Sequence, residues 1–100
     1  MGNHGKVVHL RREPYDVRID RYTAWGNPFV LGRDGDRDEV IAKYLNWVIT
    51  SNDPTAVWIR SNVYKLHGKT LGCWCAPHSC HGSALLKLAA QAVEDGDLYE

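Results

Sequence analysis

All three cysteines and two of the five histidines fall in one stretch, Cys73-Trp74-Cys75-Ala76-Pro77-His78-Ser79-Cys80-His81-Gly82. Thiolate and imidazole bind soft and borderline metals, attack electrophiles and carry protons, so this segment is where chemistry is expected. Cys73 and Cys75 are too close in sequence for an ordinary unstrained disulfide, and three is an odd number. Reduced thiols therefore point to metal binding, a reactive thiolate or core packing.

Each of these uses makes its own demand on the residues. As a metal site, Cys73, Cys75, Cys80 and either His81 or His78 supply four ligands suited to Zn²⁺ or an Fe–S cluster. Structural zinc pairs, however, favour two to four residues between cysteines, and the first pair here has one. As an anion cradle, the backbone amides at the start of the following helix hold a phosphate, with His81 as donor or general acid and Cys75 or Cys80 as nucleophile. The Cys75 to His81 interval is that of a Cys-x5-Arg phosphatase loop without its arginine. A thiolate at Cys80 would be stabilised by the helix dipole, which also makes Cys80 a candidate redox-sensitive thiol. As packing, the cysteines are small apolar residues and His81 caps a helix.

A second constellation, Arg21-Tyr22-Thr23-Ala24-Trp25-Gly26-Asn27-Pro28-Phe29, carries aromatics around a turn. Gly26 permits an unusual backbone angle and Pro28 restricts Asn27 to extended geometry, so a rigid turn is expected. Trp25 and Phe29 could stack a planar base, Asn27 could hydrogen-bond its edge, and Arg18, Arg21 or Arg37 could pair with phosphate. Alternatively Trp25 and Phe29 fill the core and Asn27 satisfies backbone groups of the loop.

The elements that must position these groups are readable from periodicity. Lys6–Leu10 and Val17–Asp20 read as strands, joined through a turn at Pro14 as a hairpin or as neighbours. Residues 21–35 have no helical period and form a long loop of the kind that often carries function. Residues 37–50 place Val40, Ile41, Tyr44, Leu45, Trp47 and Val48 at helical spacing behind an Asp36/Glu39 capping box. Asp53-Pro54 starts a second helix with Ile59, Val63 and Leu66 buried, and Gly68 ends it. Residues 69–72 lead as a strand into the cysteine segment, where alternation would turn Cys73 and Cys75 to one face and Trp74 to the other. A last helix runs from about Cys80 to Val93, capped by Ser79, with Leu85, Leu88, Ala89 and Ala92 on one face. The fold class is α/β: one compact domain, a sheet of about three strands covered by about three helices, with a core over about 6–93 and frayed ends at 1–5 and 94–100.

A chain of 100 residues, 44% hydrophobic, supports one ordinary core. Twelve basic and twelve acidic side chains cancel, which disfavours bulk nucleic-acid binding. No apolar run approaches the roughly 20 residues that span a bilayer, and the first residues lack the apolar core of a signal peptide, so no membrane partner and a cytoplasmic location are expected.

Taken together, Trp25 to Phe29, then Arg37, Tyr44 and Trp47, then Cys73, Trp74, Cys75, Cys80, His81 and Gly82 resemble a family of small phage and bacterial proteins known as a domain of unknown function. The resemblance covers about residues 15–90; it implies a phage-type source, hence host cytoplasm, and one site built by both motifs. Ser83 stands where that family's pattern has an acidic residue, which removes an acid from this position. The leading expectation is a nucleotide-like or phosphorylated ligand held between the Trp25–Phe29 turn and the Cys80 helix. Arg21, Trp25, Asn27 and Arg37 would bind it, with Cys80 and His81 at its reactive end. The alternative is a domain stabilised by Zn or Fe–S at Cys73, Cys75, Cys80 and His81 that acts on a host protein.

Overall fold

The structure, a computed structural model, describes residues 5–76, 78 and 80–95. Capping decides where the first two helices begin. Asp36 accepts from the Glu39 amide while the Glu39 carboxylate accepts from the Asp36 amide, so α1 starts at Arg37 and runs to Thr50. Asp53 accepts from the Thr55 amide with Pro54 at the first helical position, giving α2, Pro54–Asn62, which tightens into a 3-10 turn over Val63–Leu66. Arg60 on α2 donates to the carbonyls of Val48 and Ser51 and so closes the end of α1. Gly68, at φ +76°, reverses the chain into the last strand.

Three short strands, β1 (Lys6–His9), β2 (Val17–Arg18) and β3 (Thr70–Cys73), form one sheet in the order β1-β3-β2, and both pairings are parallel. The expected hairpin or neighbouring pair of β1 and β2 is not formed. The strand that arrives last in sequence inserts between them, because Leu71-Gly72-Cys73 is buried throughout and can serve as a centre strand, whereas β1 and β2 are partly exposed. The turn signal around Pro14 instead sends the chain back along the sheet. Arg12 and Glu13 donate to the His9 carbonyl to end β1, and Asp16 then pairs with Thr70 through its amide and its carboxylate. Tyr15 lies across Gly72, where an added Cβ would stand 2.7 Å from the ring.

Helix α3 spans His81–Asp95, two residues past the expected end at Val93; residues 1–4 and 96–100 lie outside the described residues. So does Ser79, the expected cap; the Cys80 sulfur accepts from the Gly82 amide at this helix start. Helix α3 packs on the 3-10 turn, on α1 and on β1. Ile19, Tyr44, Val48, Ile59, Leu66, Leu71 and Leu85 are fully buried at the centre. The α/β class, the three strands and the three helices are as expected from the periodicity. Among the described residues, no helix is long and apolar enough to cross a membrane.

Candidate functional site

Strand β3 ends at Cys73, where Leu10 donates the last sheet hydrogen bond to the Cys73 carbonyl, and the chain turns instead of continuing to Cys75. The three thiols converge all the same. A ligand atom from each of Cys73, Cys80 and His81, all buried, lies within 4.8 Å of the others. Cys75, partly exposed, lines the same cavity as these three and as Arg37. All three cysteines are free thiols. His78 is exposed, so the histidine that joins the cysteines is His81.

Three sulfurs in contact cannot each carry a charge, and their surroundings decide which one does. Hydrogen bonds from Cys73 and Cys80, with Arg37 adding to them, pull the Cys75 thiol well below its ordinary range. Cys73 is raised, chiefly by Cys75, and Cys80 is pushed far up by Cys73 and Cys75 and then by burial. These directions favour a thiolate at Cys75, while at the helix start the Gly82 amide donates to the Cys80 sulfur. Burial lowers the pKa of His81 and keeps its ring neutral. Its Nε2 lies 2.7 Å from the carbonyl oxygen of Ile19. A carbonyl only accepts, so Nε2 carries the proton and Nδ1 keeps the free lone pair. A neutral ring with its proton engaged by the backbone is a poor general acid and a good ligand.

The two sequence motifs meet. A cavity of ≈ 340 Å³ is lined by Cys73, Cys75, Cys80 and His81 on one side and by Arg21, Asn27 and Phe29 on the other, with Arg37 reaching it from α1. Trp25 departs from its expected place in the ligand wall. It is buried, its ring packs 4.8 Å from that of Trp58, and its carbonyl accepts a 2.7 Å hydrogen bond from the Tyr44 hydroxyl. Asn27 borders the cavity, but its amide is spent on the backbone: Oδ1 accepts from the Phe29 amide and Nδ2 donates to the Val40 carbonyl. Gly26 serves by closeness, not by an unusual angle; its φ is not positive, and an added Cβ would lie 2.5 Å from the Arg21 Cα.

Asp20, Tyr22 and Trp74 also line the cavity, although the sequence reading gave them no role in it. Asp20, 3% exposed, accepts from Arg18 and from the Trp74 indole N–H, and the Arg18 hydrogen bond holds its carboxyl below the usual range. Tyr22 borders the cavity at 85% exposure. Trp74 is 42% exposed, with the His9 ring edge-on and the Arg11 guanidinium 5.2 Å over its face. The sequence reading placed Asp20 only as the last residue of a strand over Val17–Asp20, with no sign of its burial.

A family model described as "Domain of unknown function (DUF4326)" matches residues 3–91. The chain is 27% identical over 90 residues to the "Uncharacterized 12.4 kDa protein in nrdA-td intergenic region" of Enterobacteria phage T4, covering 90% of this chain and 82% of that one. It is 29% identical over 72 residues to "Uncharacterized protein R718" of Acanthamoeba polyphaga mimivirus, covering 64% of this chain and 51% of that one. No solved structure matches. With the family match spanning both motifs and the sheet and helices that bring them together, this chain belongs to the DUF4326 family.

Proposed function

We propose that the chain binds a small anionic ligand, nucleotide-like or otherwise phosphorylated, in the cavity between the Arg21–Phe29 loop and the cysteine segment. The observation that carries this reading is that two motifs some fifty residues apart in the chain border one cavity of ≈ 340 Å³, within the range usual for small-molecule sites. Arg21 and Arg37 supply positive charge at its wall, and Phe29 and the exposed Tyr22 supply planar faces on which a base can stack. In this reading Asn27 holds the loop and does not contact the ligand, and Trp25 acts from the core. Calorimetric titration with nucleoside monophosphates, diphosphates and inorganic phosphate tests it. Arg21→Ala, at an exposed position, is expected to leave the fold intact and weaken binding by about tenfold or more. No heat from any phosphate compound at millimolar concentration sinks the reading.

A second reading gives the function to contact with a protein partner and leaves the cysteine–histidine group to stabilise the fold. Trp74 favours it, since a half-exposed indole with an arginine over its face is the kind of anchor found at interfaces.

A further inference from the structure

We infer that Cys73, Cys75, Cys80 and His81 together bind one Zn²⁺ ion, with His81 coordinating through Nδ1. The first support is convergence. Ligand atoms of Cys73, Cys80 and His81 fall within 4.8 Å of one another, and Cys75, two residues after Cys73, lines the same cavity as all three. With Zn–S bonds of about 2.3 Å, tetrahedral ligand atoms stand about 3.8 Å apart, so closing Cys73, Cys80 and His81 on an ion asks for movements of at most about 0.5 Å each.

The second support is the surroundings of each donor. The Ile19 carbonyl fixes the His81 tautomer and ring orientation, the arrangement by which metal-bound histidines are usually held. The Gly82 amide donates to the Cys80 sulfur, a bond that stabilises a thiolate. Three thiolates and a neutral imidazole around Zn²⁺ leave one net negative charge, and Arg37, which borders the same cavity, can offset that charge. The third support is the donor set. Three sulfurs and one nitrogen are a standard closed complement for structural zinc, whereas common Fe–S clusters take cysteines alone or replace two of them with histidine. The single residue between Cys73 and Cys75 departs from the usual spacing; β3 ends at Cys73, the chain turns there, and both cysteines line the one cavity.

The ion would sit in the cavity wall and does not depend on the ligand reading, because metal content is measured with the cavity empty. The test uses the full chain, expressed in medium containing zinc and iron salts and purified under reducing conditions without chelator. Elemental analysis is expected to give one zinc per chain and no stoichiometric iron. Titration of the stripped, reduced protein with Co²⁺ is expected to produce the sulfur-to-cobalt charge-transfer and intense d–d absorption of a tetrahedral thiolate site, displaced by one equivalent of Zn²⁺. His81→Cys is expected to keep the metal and strengthen the charge-transfer band by about a third, while His78→Ala leaves the spectrum unchanged. Protein that is folded, metal-free and silent with Co²⁺ overturns the proposal, as does stoichiometric iron. A spectrum altered by His78→Ala and not by His81→Cys overturns the ligand assignment.

Discussion

His81 and Ile19, 62 positions apart, are joined by a 2.7 Å hydrogen bond between Nε2 and the main-chain carbonyl. The bond ties the start of α3 to the segment leaving β2, and Asp20 and Arg21 follow directly. The cysteine segment and the loop opposite it are therefore set by one anchor. His81→Phe keeps the ring volume and removes the bond. It is expected to cost about 1–3 kcal/mol, since the buried Ile19 carbonyl loses its partner; urea unfolding monitored by tryptophan fluorescence measures it.

Asp20 gives the fold an acid dependence. Its folded pKa is lowered from 3.8, so its stabilisation is complete above that value and is lost as pH falls through the folded value. Asp20→Asn is expected to reduce stability at pH 7 by about 1–3 kcal/mol through loss of the charged bond to Arg18. The difference from the parent protein should shrink once the pH falls below 3.8 and on through the lowered folded value. Urea midpoints across pH 2.5–7 check both parts.

Cys75 should be the reactive thiol. In reduced, chelator-treated protein, iodoacetamide at pH 6.5 is expected to label Cys75 well before Cys73 and Cys80, because Cys75 is lowered and partly exposed while the others are raised and buried. Arg37→Met should slow that labelling. Peptide mass spectrometry resolves the order, and preferential labelling of Cys80 would contradict the charge distribution described above.

Gly26 and Gly32 separate crowding from strain. Gly26→Ala places a methyl 2.5 Å from the Arg21 Cα and 2.9 Å from the Asp20 carbonyl oxygen, both backbone atoms, so the turn must move. A loss of about 2–3 kcal/mol is expected. Gly32→Ala meets nothing within 4 Å and suffers only from its φ of +92°, for a loss of about 1 kcal/mol. Thermal melts of the two variants should rank them in that order.

Tyr44→Phe removes the hydroxyl that donates to the Trp25 carbonyl in the core. A loss of about 1–2 kcal/mol is expected with the fold kept, and hydrogen exchange should show the Trp25–Asn27 turn opening more often than in the parent protein.

Features with local causes were legible in the sequence. The Asp36/Glu39 box fixed the start of α1, Asp53-Pro54 that of α2, and Gly68 the reversal before β3. Strand order was not legible, since nothing within residues 6–18 says that the partner of both segments is the distant strand Thr70–Cys73. The meeting of the cysteines was expected from an alternation that stops at Cys73; a turn achieves it instead. Trp25 illustrates a different gap. An aromatic beside a glycine turn suits a ligand wall and a core equally, and Trp58, on a helix read only for its aliphatic stripe, decides for the core. Asp20 was hidden because its donors, Arg18 and Trp74, come from different strands' ends.

The placement of β3 between β1 and β2 also bears on how the chain is made. Neither early strand has a sheet partner until residues 70–73 leave the ribosome, so the N-terminal two thirds can form α1 and α2 but no sheet. The cysteine segment follows directly, and the fold and its thiol cluster therefore mature in the same late step. A nascent chain stalled before Thr70 should remain protease-sensitive over residues 5–36, and emergence of β3 and α3 should protect that region all at once.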